Sequence, residues 1–134
     1  MITETREIRT GESRLLDVTG IVAEFAGRHG GDGLVSVFLP HATAGLVIIE
    51  TGAGSDADLL DAVDVLLPRD DRYRHRHGSP GHGADHLLPA FVPPSLSVPM
   101  ADGRLLLGTW QSIVILDPNV DNPVRTLRLS LLRG

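Results

Sequence analysis

The C-terminal segment of the chain alternates strictly between apolar and polar side chains. Between residues 126 and 131, leucines occupy every second position, and Thr126, Arg128 and Ser130 occupy the positions between them. Successive side chains of a strand point to opposite faces of a sheet, so this period of two predicts a strand with one buried face. A chain that ends in such a strand needs other strands to pair with it and a layer to cover its apolar face.

Further short runs of apolar residues supply those strands. The runs at 34–39 and 46–49 are too short for helices and rich in β-branched residues, which predicts two buried strands. The other predicted strands cover residues 3–10, 14–18, 95–100, 104–108, 113–116 and 124–132, with turns at 11–13 and 102–103.

Apolar residues recur at helical spacing in two segments, from Val18 onward and from Leu59 to Leu67. A third, short helix is predicted at 84–88, ahead of Pro89. The predicted boundary signals are Asp17 or Thr19 and Gly30–Gly31 for the first helix, and a Ser55–Asp58 capping box and Pro68 for the second. Strands outnumber helices, so we predict a single α+β domain over residues 1–134, mainly an antiparallel β-sandwich with two to three helices.

The composition and net charge limit the classes of function open to this chain. The net charge of -5 argues against broad nucleic-acid binding, because a surface that follows phosphates needs a basic excess. The chain has no cysteine, so any metal would be bound by His, Asp or Glu. The N-terminus is polar and no stretch is long enough to cross a bilayer, so we expect a cytoplasmic protein without a membrane partner.

Histidines are concentrated in one part of the chain, since four of the six lie between residues 75 and 86. His82 and His86 are four residues apart and would share one face of a helix, a spacing common in histidine metal sites. Two solvated histidines beside a loop are an equally good explanation of the spacing alone. His41 follows one predicted strand and Glu50 ends the next, so a short hairpin would bring them together at one sheet edge.

Arginines crowd the polar loop 69–83, at positions 69, 72, 74 and 76. A guanidinium group suits phosphate or carboxylate, although local ion pairs with Asp70 and Asp71 are the ordinary explanation for most of them. Residues 52–55 precede the second helix and are a candidate anion cradle or a flexible cap. Gln111 offers a donor and an acceptor between two predicted strands, and Trp110 is predicted to anchor a core or a subunit contact.

Four segments together are similar to the YjbQ-like family, the secondary thiamine-phosphate synthase family. They are HATAGLVIIE, YRHRHGSPGHGADHL, PSLSVPMADGRLLLGTWQS and DNPVRTLRLSLL. The resemblance implies a compact α+β fold, a homotrimer and a weak thiamine phosphate synthase activity. It also implies that His41, Glu50 and His86 form the polar site, with Gln111 nearby. Ile49 and His82 depart from the family pattern, because many members carry asparagine at both places.

These observations give one leading hypothesis and two alternatives. In the first, His41, His82 and His86 line a pocket with Glu50 and bind a divalent ion, Mg²⁺ or Zn²⁺, or contact phosphate directly, while Arg74 or Arg76 adds positive charge for a small phosphorylated substrate. The second is metal-assisted hydrolysis with Glu50 as the base. The third is a non-enzymatic trimeric module that binds a phosphorylated metabolite or a protein partner.

Overall fold

The computed structural model of the chain describes residues 1–11 and 13–134, and the predicted turn at 11–13 therefore includes one residue, Glu12, outside the described part. The described residues form eight strands and three helices. In chain order these are β1 (Ile2–Arg9), β2 (Leu15–Asp17), α1 (Thr19–His29), β3 (Gly33–Phe38), β4 (Gly45–Ile49), α2 (Ser55–Leu66), α3 (His82–Phe91), β5 (Ser95–Ala101), β6 (Arg104–Leu105), β7 (Ser112–Leu116) and β8 (Val124–Leu132).

The strands form two antiparallel sheets. One sheet has five strands in the order β1-β8-β3-β5-β6, and the other has three in the order β2-β7-β4. The C-terminal strand β8 pairs with β1 on one side and β3 on the other, and its alternate leucines, Leu127, Leu129 and Leu131, are fully buried. The predicted α+β class and the half-buried C-terminal strand are therefore confirmed.

The smaller sheet lies between two apolar layers. Ile113 and Ile115 of β7 belong to the main core, together with residues of β3, β8 and α1. Leu116 of β7 instead packs with α2 and α3, in a second cluster that includes Val63 and Leu88. Because β7 is buried on both faces, it reads in the sequence as a continuous apolar run.

The helix starts differ from the predicted caps. Val18 is the N-cap of α1, and Asp17 Oδ1 accepts the backbone N–H of Thr19 at 2.8 Å without capping the helix. The predicted capping box of α2 does not form, because Gly54 takes the N-cap position in the left-handed conformation. Glycine reaches that conformation without steric cost, and its carbonyl accepts the Asp58 N–H at 3.0 Å.

Helix α3 is longer at both ends than the predicted span of 84–88. It begins at His82, after Gly81 in the left-handed conformation, and it contains Pro89. Proline removes one backbone donor, but Ala84 and Leu88 are buried against the second cluster and hold the helix through that point. The earlier start places His82 and His86 one turn apart on the same helix. No helix of the described chain is both long and apolar enough to span a bilayer.

Candidate functional site

Two elements bring the histidines of residues 75–86 together. His82 and His86 lie in the first two turns of α3, and their Nε2 atoms are 2.8 Å apart. His75 and His77 come from the preceding loop, which folds back against the start of the helix, so that the ring centroids of His75 and His86 are 4.0 Å apart. The spacing of four residues therefore does place both helical imidazoles on one face, as the sequence predicted.

Each of these four side chains, His75, His77, His82 and His86, has one ring nitrogen that lies within 4.8 Å of the corresponding atoms of the other three. We call this group the four-histidine cluster. His82 is buried, His75 and His86 are half-buried, and His77 is exposed. The cluster thus has a shielded side formed by the helix and an open side formed by the loop.

Burial and the neighbouring imidazoles favour the neutral forms of His75 and His86. Desolvation lowers the pKa of both His75 and His86 below its ordinary value, and the neighbouring imidazoles of the cluster lower it further. The Nε2 atom of His75 is buried and has no hydrogen-bond partner among the described residues. Neutral imidazole nitrogens are the ligand type that zinc and other borderline transition metals prefer.

Two hollows flank the cluster. A cleft of about 200 Å³ is lined by His75, His77 and His82 together with Arg76 and the turn at 78–81. A second hollow of about 280 Å³ lies on the other side of His75 and is lined by Tyr73, Arg74, His86 and Leu87. Both predicted phosphate-binding arginines are therefore next to the cluster. Among the described residues, neither arginine has a carboxylate within ion-pair distance, and Arg76 Nε donates to the backbone carbonyl of Tyr73 at 2.9 Å.

The other two arginines of the loop have structural partners. Arg69 is paired with Asp85, whose side chain is fully buried on α3, and Arg72 is paired with Asp70. Burial raises the pKa of Asp85 despite the opposing effect of Arg69. The Arg69–Asp85 pair attaches the beginning of the loop to the helix that carries His82 and His86.

His41 lies outside the four-histidine cluster. Its Nε2 atom accepts the backbone N–H of Thr126 on β8 at 2.8 Å. Burial is the main reason that the pKa of His41 is lowered, followed by the nearby Arg125 guanidinium. An acceptor nitrogen must be unprotonated, so His41 serves here as a neutral hydrogen-bond partner of the sheet, and that nitrogen is not free for a metal.

Glu50 does not meet His41, because the predicted hairpin between the two strands is absent. Strands β3 and β4 belong to different sheets, and β4 pairs with β7 instead. His41 precedes the beginning of β4 whereas Glu50 follows its end, with about 13 Å of extended strand between those ends. Glu50 is exposed and is not part of the four-histidine cluster.

The GTWQ segment, residues 108–111, does not line either of the two hollows beside the cluster. The Oε1 atom of Gln111 accepts the backbone N–H of Gly108 at 2.8 Å, which closes a turn before β7. Trp110 is 72 % exposed, so it does not anchor the core of the chain. In the candidate cradle, residues 52–54 are exposed and Ser55 is half-buried, and Asp56 and Asp58 already place negative charge in the first turn of α2.

Residues 4–134 match the family described as UPF0047 protein YjbQ-like. The UPF0047 protein Rv2556c of Mycobacterium tuberculosis is 60% identical over 134 residues, which covers 100% of both chains. The chain belongs to the YjbQ/UPF0047 family. The resemblance found in the sequence is thereby confirmed.

Solved structures agree with this assignment. A hypothetical protein from Aeropyrum pernix K1 superposes with a TM-score of 0.85 at 33% identity and covers 100% of both chains. A YbjQ-like protein of unknown function from Sulfolobus solfataricus P2 superposes with a TM-score of 0.87 at 22% identity, over 99% of both chains, and shares the fold. The relatives establish the family and the fold of this YjbQ/UPF0047 protein.

A buried polar network runs beside the cluster. Arg125 on β8 forms two hydrogen bonds with Asp117, at 2.7 and 2.8 Å, and its Nη2 also donates to Thr43 Oγ1. Asn119 donates to the same hydroxyl at 3.1 Å, and its Oδ1 accepts the backbone N–H of Asp121. Every buried charge in this network has a partner, which fixes the loop between β7 and β8 in this YjbQ/UPF0047 protein.

The sequence indicates the histidine-rich segment but not which histidines form the cluster. His75 and His77 were part of the noted concentration of histidines, yet only the folded loop brings them to His82 and His86. The sequence also gives no indication of Asp121, whose Oδ2 lies 3.1 Å from His82 Nδ1. The polar positions 117, 119 and 121 alternate in the segment DPNVD, and that spacing is the one sequence signal that could have indicated a structured loop.

Proposed function

We propose that this YjbQ/UPF0047 protein is a divalent-metal-dependent enzyme that acts on small phosphorylated substrates, with the ion bound by the four-histidine cluster. The observation that carries the proposal is the convergence of four imidazole nitrogens within 4.8 Å of one another. In this set His75 and His77 take the place that the sequence analysis gave to His41. Imidazole ligands favour Zn²⁺ over Mg²⁺, which prefers oxygen and retains its water.

The reaction we propose is the one that the family resemblance implies. The thiazole nitrogen of thiazole phosphate forms a C–N bond to the methylene carbon of hydroxymethylpyrimidine pyrophosphate, the C–O bond to pyrophosphate breaks, and pyrophosphate leaves with the electron pair. A bound divalent ion supplies positive charge for the pyrophosphate oxygens. Arg76 in the cleft and Arg74 in the second hollow are placed to add charge on either side of the cluster.

Metal-assisted hydrolysis is the second candidate, and the exposure of His77 favours it. If water replaces that imidazole, three histidines and one water remain, which is the usual composition of a catalytic zinc site. Glu50 is not at the cluster and is not the base in this version. The two candidates differ in products, because hydrolysis releases phosphate or pyrophosphate without any need for thiazole phosphate.

The first measurement is zinc binding by the full chain, by titration against a chromogenic chelator and by elemental analysis. We expect one Zn²⁺ per chain in the wild type and in His29→Ala, which removes a histidine outside the cluster, and a loss of at least about 100-fold in affinity in His86→Ala. Circular dichroism checks that His86→Ala is folded. Equal binding by folded His86→Ala and wild type would contradict the metal site.

The second measurement is turnover by the zinc-loaded chain. Both substrates are supplied together and singly, and thiamine phosphate, pyrophosphate and phosphate are quantified. Thiamine phosphate formation that is lost in His86→Ala and kept in His29→Ala supports the synthase. Phosphate release from either substrate alone supports the hydrolase. Tight binding of a phosphorylated compound with no product would leave a binding module and overturn the enzyme proposal.

A further inference from the structure

The two ring nitrogens of His82 have different surroundings. Its Nε2 atom faces the interior of the four-histidine cluster, 2.8 Å from His86 Nε2. Its Nδ1 atom is buried and has no aligned hydrogen-bond partner among the described residues. A buried polar atom without a hydrogen-bond partner is uncommon in folded proteins, so the group nearest to His82 Nδ1 is the candidate partner.

The nearest charged group is the carboxylate of Asp121, in the loop between β7 and β8. Its Oδ2 lies 3.1 Å from His82 Nδ1, a distance that permits a hydrogen bond even though the angle falls short of one. The same oxygen accepts the backbone N–H of Ser79 at 3.2 Å. Asp121 therefore joins the turn at 78–81 to the first residue of α3.

Gly78 shows how closely this group is packed. A Cβ atom at that position would lie 2.8 Å from His82 Cγ and 2.9 Å from Asp121 Oδ2. The φ of Gly78 is +85°, a conformation that side chains with a Cβ rarely adopt. The carboxylate and the imidazole are thus held against the same point of the loop.

Asp121 is in turn held by the buried polar network. Its backbone N–H donates to Asn119 Oδ1 at 3.1 Å, and Asn119 is fixed by Thr43 and by the carboxylate of Asp117. Asn119 and Asp117 are both buried. These hydrogen bonds tie the backbone of Asp121 to buried residues, and its partly exposed carboxylate is held by the Ser79 N–H.

We propose that Asp121 is a positioning residue for the four-histidine cluster. Its carboxylate can only accept, so it favours the tautomer of His82 in which Nδ1 carries the proton and the Nε2 lone pair faces the ion. Histidine ligands of metals commonly donate their second ring N–H to a carboxylate in this way. The inference rests on the proposed metal site, and Asp121 itself does not touch the ion.

The test compares wild type, Asp121→Asn, Asp121→Ala and a matched control, Asp61→Asn, which removes one exposed carboxylate on α2. Zinc affinity is measured by chelator competition, and the His82 tautomer is measured in the zinc-free chain by long-range ¹H–¹⁵N NMR. We expect zinc affinity to fall roughly 10- to 100-fold in Asp121→Ala and about 10-fold in Asp121→Asn, with no change in Asp61→Asn. The Nδ1-protonated form of His82 should be dominant in wild type and lose population in both Asp121 variants.

Asp121→Asn preserves the size of the side chain and serves as the test if Asp121→Ala does not fold. Wild-type zinc affinity together with an unchanged His82 tautomer in folded Asp121→Asn would overturn the proposal. Failure of the wild type to bind zinc would refute the proposed function instead. In that event the tautomer comparison still decides whether Asp121 orients His82.

Discussion

Individual histidines of this chain have different roles because their ring nitrogens meet different partners. His41 accepts a backbone N–H from β8, whereas His75, His82 and His86 have nitrogens that face one another. The residue type is the same in each case, and only the hydrogen-bond partner separates a structural histidine from a candidate ligand. Substitution of a structural histidine should therefore lower stability, whereas substitution of a candidate ligand should lower zinc affinity.

We expect His41→Ala to destabilise the protein and leave zinc binding intact. The substitution removes the acceptor of the half-buried Thr126 N–H, and an unsatisfied donor costs about 1–3 kcal/mol. Urea unfolding measures the loss, and chelator competition measures zinc affinity in the same sample. Loss of zinc binding by folded His41→Ala would indicate that His41 is a metal ligand, as the sequence predicted.

At the scale of elements, strand β8 connects the core to the site. Its buried Arg125 holds the β7–β8 loop through Asp117, and that loop carries Asp121 to His82. Helix α3 contributes from the other side, with His82 and His86 on one face and Ala84 and Leu88 packed on α2 and β7. The cluster thus lies where a helix start meets a loop that the sheet fixes.

Two arginines of β8 allow a matched comparison of buried and exposed charge. Arg125→Met leaves Asp117 buried without its partner, and breaking such a pair costs about 3–5 kcal/mol. Arg128 is exposed on the same strand, so Arg128→Met should change the free energy of unfolding by less than about 0.5 kcal/mol. Denaturant unfolding of both variants checks the difference, and equal losses would show that the Arg125–Asp117 pair does not hold the loop.

At the scale of the whole molecule, pH should act on stability through the histidines. The pKa values of His41, His75 and His86 are all lowered below the ordinary value of 6.5 in the folded chain. As pH falls, the unfolded chain takes up these protons at a higher pH than the folded chain does. The stability that the neutral histidines contribute is therefore fully present above pH 6.5 and is lost as pH falls below it.

We therefore expect the Tm of the zinc-free protein to decrease as pH is lowered from about 7.5 to 5.5, by thermal scans at fixed ionic strength. A double variant, His75→Asn with His86→Asn, should show a flatter dependence over the same range because two of the three groups are gone. A wild-type Tm that rises on acidification, or an equal slope in the double variant, would contradict this assignment.

The outer face of the five-stranded sheet bears on assembly. Leu34, Phe38 and Leu132 lie on that face, and each is about 40 % exposed. Exposed apolar side chains on one sheet face are typical of a self-association surface, and we propose that the chain forms the homotrimer that the family resemblance implies. We expect light scattering to give about three times the chain mass of 14.3 kDa.

Phe38→Lys should reduce the measured mass toward that of the monomer. If another copy covers this sheet face, the substitution places a lysine charge in the buried interface. Leu66→Lys replaces an exposed leucine on α2, away from that sheet face, and should leave the mass unchanged. A wild-type mass of one chain would refute the trimer, and a Phe38→Lys trimer would move the interface elsewhere.

Elements that depend on a local sequence pattern are predictable from the sequence. The period of two at residues 126–131 fixed a strand with one buried face, and the histidine spacing of four placed His82 and His86 on one side of α3. The family-specific segments of the sequence also established membership in the YjbQ/UPF0047 family. These features depend on residues close together in the sequence, so they can be predicted without knowing the long-range contacts.

Contacts between residues distant in the sequence depend on the tertiary fold. Strands β3 and β4 join different sheets, so His41 and Glu50 separate, although the sequence suggested a hairpin between them. The loop 69–81 folds back and adds His75 and His77 to the cluster, and the β7–β8 loop brings Asp121 to His82 across 39 residues of chain. Strand pairing and loop placement depend on how the whole chain buries its apolar surface. A local sequence pattern therefore does not predict them.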